Sequence, residues 1–92
     1  MKKGLGGIAI AILFAAQSPA QATGVYSCDS GPRDTWQSQD QLKKTLIEQG
    51  WQVRRIKEDG GCWEVYAIDP AGKRVEAYFD PRTLKNVYTS TR

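Results

Sequence analysis

Apolar and polar positions alternate most sharply between Cys62 and Asp80. Trp63, Val65 and Ala67 interleave with Glu64, Tyr66 and Ile68, and after Asp69-Pro70-Ala71-Gly72 the alternation resumes, with Val75, Ala77 and Phe79 set against Arg74, Glu76 and Tyr78. A period of two is the mark of strands buried on one face. Asp-Pro-Ala-Gly fits a type I turn, with Asp first, Pro fixing φ at the second position and Gly at the fourth. A left-handed Gly72 in a three-residue loop then pairs Asp69 with Lys73. The register follows in step: Ala67 opposes Val75, Val65 opposes Ala77, and Trp63 opposes Phe79 on one face. The other face pairs Ile68 with Arg74, Tyr66 with Glu76, and Glu64 with Tyr78. One face is wholly apolar and the other mixed, as a half-buried antiparallel sheet requires, and a one-residue slip would scramble both.

Upstream, Ser38 and Gln41 form a Ser-x-x-Gln capping box. Leu42, Leu46 and Ile47 give a narrow apolar stripe at i, i+4 and i+5, and Gly50 closes the helix. A helix of about 12 residues is marginal alone in water, so it must dock, and the apolar hairpin face is the surface available. Trp51 to Lys57 reads as a strand in which Trp51 and Val53 alternate correctly while Ile56 falls on the wrong parity, which predicts a bulge near Arg54-Arg55. Asp59-Gly60-Gly61 turns into the Cys62 strand. Asp80-Pro81-Arg82-Thr83 makes a further turn, after which Leu84, Val87 and Tyr88 read as a short apolar tail that either adds contacts or frays. The pattern predicts an α+β fold: one helix packed on a three-stranded antiparallel β-meander.

The first residues follow a different pattern. Lys2 and Lys3 form a positive n-region, Gly4 to Ala16 an apolar run, and Ala20-Gln21-Ala22 a cleavage site. This is the layout of a secretory signal peptide, and the apolar run is shorter than the roughly 20 residues needed to span a bilayer. Residues 1–22 are thus expected to be a leader, with a periplasmic or secreted mature chain that begins at Thr23 and has no membrane span. Without Lys2 and Lys3 the 13 basic residues fall to 11 against 10 acidic ones. Lys43, Lys44, Arg54, Arg55 and Lys57 could suggest a phosphate-binding patch. In an exported and nearly neutral domain they read as a solvated face, and no nucleic acid partner is expected.

Cys28 and Cys62 are the only two cysteines. In an oxidising compartment such a pair reads as one disulfide, closing a loop of about 35 residues for roughly 3–4 kcal/mol of stability. Two thiols without any histidine make a poor metal site. Lipidation of Cys28 is the weaker alternative, because Tyr26 is bulky for the segment preceding a lipidated cysteine.

The chain has no histidine, which removes the commonest general base and metal ligand. Glu64 and Glu76 share a sheet face as diagonal neighbours and could form an acid–base pair. The blander reading is two surface carboxylates beside Arg74 and the tyrosines. Gly60-Gly61 and Gly72 read as turn glycines, not as a phosphate loop. Trp36, Trp51 and Trp63 read mainly as core. Neither cofactor nor metal is expected, and the chain reads as a non-enzyme.

The run Cys62-Trp63-Glu64-Val65-Tyr66-Ala67, followed by Gly72-Lys73-Arg74-Val75-Glu76-Ala77-Tyr78-Phe79-Asp80-Pro81-Arg82-Thr83, resembles a PepSY domain in its small exported form. Leu42, Leu46 and Gly50-Trp51-Gln52-Val53-Arg54-Arg55-Ile56 match that family's helix and first strand, so the resemblance covers roughly residues 36–84. It divides the mature chain into an irregular segment, 23–35, and a PepSY-like domain, 36–92. PepSY domains occur in propeptides of thermolysin-type metallopeptidases and in other exported or membrane-linked proteins. The resemblance implies a module that binds or restrains a peptidase, with no catalytic residues to carry over. One departure is Leu84, where many relatives have Gly, which leaves the last turn open.

The leading expectation is an exported, non-catalytic protein-binding module, a peptidase modulator or inhibitor. The alternatives are an accessory subunit of an envelope complex, such as a membrane electron-transfer or haem-linked system, and a small enzyme using Glu64 and Glu76. Since the helix covers one sheet face, the other is the candidate partner surface: Glu64, Tyr66, Ile68, Arg74, Glu76 and Tyr78. Tyr and Arg favour interfaces because they join contact area to a polar end. Cys62 shares this parity, so its bridge to Cys28 would draw the N-terminal segment over the same face.

Overall fold

The computed structural model describes residues 24–92, and the leader expected at residues 1–22 lies outside them. A helix, α1 (Gln39–Glu48), leads into four strands: β1 (Gln52–Asp59), β2 (Cys62–Ile68), β3 (Arg74–Phe79) and β4 (Asn86–Thr91). They form one antiparallel meander in the order β1-β2-β3-β4. The α+β class holds, but the sheet has four strands where three were expected. The tail after Thr83 supplies the fourth. Its Val87, Tyr88, Thr89 and Thr91 have high strand propensity, yet only two of its residues are apolar, so hydrophobic alternation gives it little signal.

The β2–β3 register is the expected one, from Trp63 opposite Phe79 to Ile68 opposite Arg74. Gly72 has φ 85°, its N–H donates to Asp69 O at 2.9 Å, and Asp69 Oδ1 accepts from the Ala71 and Lys73 N–H groups at 2.9 Å each. The bulge falls where the parity break put it. Val53 pairs with Ala67 and Arg55 with Tyr66, leaving Arg54 as the extra residue. That one insertion turns Ile56 toward the core and Arg55 and Lys57 to the opposite face.

Ser38 caps α1 by accepting from the Gln41 N–H at 3.0 Å. The Gln41 side chain turns instead to Thr45 Oγ1, at 3.5 Å. At the far end Gly50 N–H donates to Ile47 O and Trp51 N–H to Leu46 O, both at 3.0 Å, which is a Schellman closure. Leu42 and Leu46 are buried among Trp63, Val65, Ala67, Val75, Ala77 and Phe79, with Trp36, Trp51, Val53, Ile56 and Leu84 around them. Burying Leu42, Leu46, Val65, Val75 or Phe79 contributes about 1.5–3 kcal/mol each. Ile47 departs from its expected place and stays 52% exposed. α1 lies over β1, and a residue one step beyond Leu46 is turned about 100° away from the buried Leu42–Leu46 stripe. Leu84 holds φ 64°, the single positive φ among non-glycine residues described, so the last turn takes the left-handed conformation that glycine adopts freely.

The N-terminal segment is strapped across the β1–β2 turn. Cys28 and Cys62 are bonded, with an S–S distance of 2.03 Å, and the Cys28 N–H donates to Gly60 O at 2.8 Å. Gly60 and Gly61 have φ 60° and 79°, and a Cβ on either would lie 2.7 Å from the carbonyl oxygen of Tyr26 or of Cys28. They are therefore turn glycines and also the floor on which the strap lies. Farther along, Arg33 grips Glu58 through two bonds of 2.7 and 2.8 Å and holds its carboxyl below the ordinary value. The Trp36 indole donates to Ser30 O at 3.0 Å, and Arg82 Nη2 donates to Asp29 O at 2.9 Å.

Candidate functional site

Beyond the Asp59–Cys62 pair at the β1–β2 turn, the sheet face opposite α1 carries three strand-crossing rows. The first is Lys57, Glu64, Tyr78 and Tyr88; the second is Arg55, Tyr66, Glu76 and Ser90; the third begins with Gln52, Ile68 and Arg74. Arg92, whose N–H donates to Arg74 O at 2.8 Å, ends the third row. All six candidate partner-face residues share this face, but they differ in depth. Glu64 and Tyr78 are fully buried, Glu76 is nearly so, Tyr66 and Ile68 are half-buried, and Arg74 is exposed. The two glutamates are thus not the solvated surface pair expected of them. The strap covers the first row, where Tyr26 stacks on Tyr88 at 5.6 Å and leans on Tyr78 at 6.1 Å. Long cationic side chains cover the second.

The chemistry of the buried groups follows from that cover. The Tyr78 hydroxyl donates to Asp59 Oδ2 at 2.8 Å, and the same oxygen accepts the Gly24 N–H at 2.7 Å. Burial, then the bond to Asp59 and the nearby negative charges, push the Tyr78 phenol well above its ordinary value. Burial also pushes the Glu64 carboxyl up. Two neighbours oppose this: the Tyr66 hydroxyl, which lies close without a hydrogen bond of good geometry, and Lys57, whose Nζ is 3.9 Å from Glu64 Oε1. Asp59 and Glu76 push it further up. Glu76 is held by Arg92 Nε at 2.8 Å. Both Glu64 oxygens, Glu76 Oε1 and the Tyr66 hydroxyl are buried without a hydrogen-bond partner. Arg55, Lys57 and Arg92 crowd the Tyr66 ring at 5.7–6.0 Å from its centre, cation–π distances that hold positive charge over the carboxylates.

Two surface cavities include basic residues in their lining, and the second also includes Asp40. One, of about 170 Å³, is bounded by Arg54, Ala67, Ile68, Arg74 and Arg92. The other, of about 250 Å³, lies between α1 and β1 and includes Lys43, Arg54 and Arg55. Glu64 and Glu76 line neither. Sequence reasoning missed Arg54, Arg55, Lys57 and Arg92 as members of this face. The period-two run Arg55-x-Lys57-x-Asp59, counted from the bulge, was the signal for two of them. Arg92 directly follows β4, a strand that had not been assigned.

The family model for the peptidase propeptide and YPEB domain, PepSY_2, matches residues 7–90. The chain belongs to the PepSY family. No curated protein and no solved structure matches it. The PepSY match extends beyond the hairpin and helix that first suggested it, across β4 and its pairing with β3. Among the described residues no three His, Cys, Asp or Glu side chains are grouped to hold a metal ion, and no helix is long and apolar enough to cross a membrane.

Proposed function

We propose that this PepSY domain is an exported, non-catalytic module that binds and restrains a peptidase. The observation that carries the reading is membership of the peptidase-propeptide family over nearly the whole chain. The contact surface is the open part of the second sheet face, centred on Tyr66, Ile68 and Arg74. Glu64, Glu76 and Tyr78 support it from beneath, since a buried side chain shapes a surface without touching a partner. Small-enzyme chemistry through Glu64 and Glu76 is disfavoured because neither carboxylate opens onto the two cavities described, and a general acid must reach its substrate.

The test uses disulfide-intact protein as bait on the exported fraction of the native cells. Capture of a peptidase whose activity falls when purified module is added supports the reading. Ile68→Asp, which puts a charge on a half-buried apolar position of the contact surface, should weaken that capture at least tenfold. A captured set without any peptidase, or a peptidase indifferent to the module, overturns it; capture of membrane cytochrome components would favour an accessory role in an envelope complex.

A further inference from the structure

The end of the second face nearest the β2–β3 turn gathers three guanidinium groups. Arg54 is the bulged residue of β1 and has no cross-strand partner. Arg74 stands opposite Ile68, and Arg92 stands beside Arg74 across the β3–β4 ladder. Like charges placed opposite one another in a sheet are destabilising. Among the described residues only Arg92 of the three has an ion pair, the one to Glu76; Arg54 and Arg74 line the cavity without a salt-bridge partner, although Arg54 also borders the α1–β1 cavity that Asp40 lines. Between them lies Ile68, an apolar wall, and the whole encloses about 170 Å³. A guanidinium presents parallel N–H donors that match a carboxylate two at a time. Two unpaired guanidiniums beside an apolar wall therefore suit an acidic side chain, whose methylenes would lie on Ile68 while its oxygens bridge the arginines.

We propose that this cavity is a carboxylate-binding subsite, at which an acidic segment of the protein partner docks one side-chain carboxylate between Arg54 and Arg74. The partner's being a peptidase rests on the reading above; the carboxylate subsite does not, and is tested without it. Disulfide-intact protein is titrated at constant ionic strength with a capped tetraglutamate peptide and, separately, with inorganic phosphate, followed by backbone amide chemical shifts. The peptide should move the amides of Arg54, Ile68 and Arg74, with saturable binding. Arg54→Gln with Arg74→Gln should weaken peptide binding at least tenfold and leave circular dichroism unchanged, because both side chains are exposed and have no ion pair among the described residues. Lys44→Gln with Lys85→Gln, two exposed positions that line neither cavity, should leave it intact. Undiminished binding to the double arginine variant, or an equal loss in the lysine variant, overturns the subsite. Phosphate binding without peptide binding overturns the carboxylate assignment. If no peptidase is captured while the titration holds, the peptidase reading alone fails.

Discussion

Removing the Cys28–Cys62 bridge should cost this domain a large share of its stability. The two cysteines are 34 residues apart. Closing a loop of about 35 residues in the unfolded chain costs entropy worth roughly 3.8 kcal/mol at 25 °C. A domain the size of the described 24–92 segment has a total stability of roughly 3.5–10 kcal/mol at about 0.05–0.15 kcal/mol per residue. The bridge is thus a third or more of the total. Cys62 is fully buried, so a reductant would act slowly, and Cys28→Ala with Cys62→Ala is the cleaner perturbation. The strap keeps its other ties in that variant, including Arg33 to Glu58 and the Trp36 indole to Ser30, so the folded state should survive and the change should lie mostly in the unfolded one. Urea unfolding followed by tryptophan fluorescence should show stability lower by about 3–4 kcal/mol, with a steeper dependence on urea because an uncrosslinked chain exposes more surface. A loss under about 1 kcal/mol would refute the reasoning. It would mean that the strap stays against the Gly60-Gly61 turn in the unfolded chain even without its covalent tie.

Four other outcomes are expected. Trp63 is in the core, donates to Gln37 O at 3.0 Å and meets Trp36 edge-on at 5.4 Å; Trp63→Ala should cost about 3–5 kcal/mol, and Trp63→Phe about 1–2, chiefly the lost hydrogen bond, so a neutral Trp63→Ala in chemical denaturation would contradict the core assignment. Because burial raises the Glu64 carboxyl, the folded state prefers the protonated acid: that contribution is fully present below the unfolded carboxyl value and is lost as pH rises through the higher folded one. Glu64→Gln should therefore gain stability over the parent at pH 7 more than at pH 4, and equal differences in urea melts at both would rule out the charge as the cause. At Leu84, with φ 64°, the Ala variant keeps the left-handed penalty of about 1 kcal/mol that Gly escapes; Leu84→Gly should melt above Leu84→Ala, the reverse of the usual order. Gly61→Ala, which meets Cys28 O, should be more destabilising than Gly72→Ala, which meets nothing within 4 Å, and equal thermal shifts would show that the strap does not rest on the turn.

The β2–β3 register was legible because a turn of known chemistry and strict alternation leave one pairing that sorts both faces. The bulge at Arg54 was legible as a parity error, and the disulfide as an even cysteine count in a chain expected to be exported. β4 was not, since strand-forming polar residues become a strand only when an edge such as β3 offers its hydrogen bonds. Nor could the chain alone say that Glu64 and Glu76 are buried. Alternation assigns a residue to a face, whereas its depth depends on what arrives from far away in sequence: Tyr26 and Cys28 from one end of the domain, Arg92 from the other. The same holds for the arginine-lined cavity, whose three cations come from β1, from β3 and from the residue that follows β4. Local sequence determined the elements, their faces and their pairing because those follow from chemistry a few residues wide. The tertiary structure decided which face is covered, which carboxylates lose water and which charges remain without partners, because these depend on segments brought together only when the whole chain is folded.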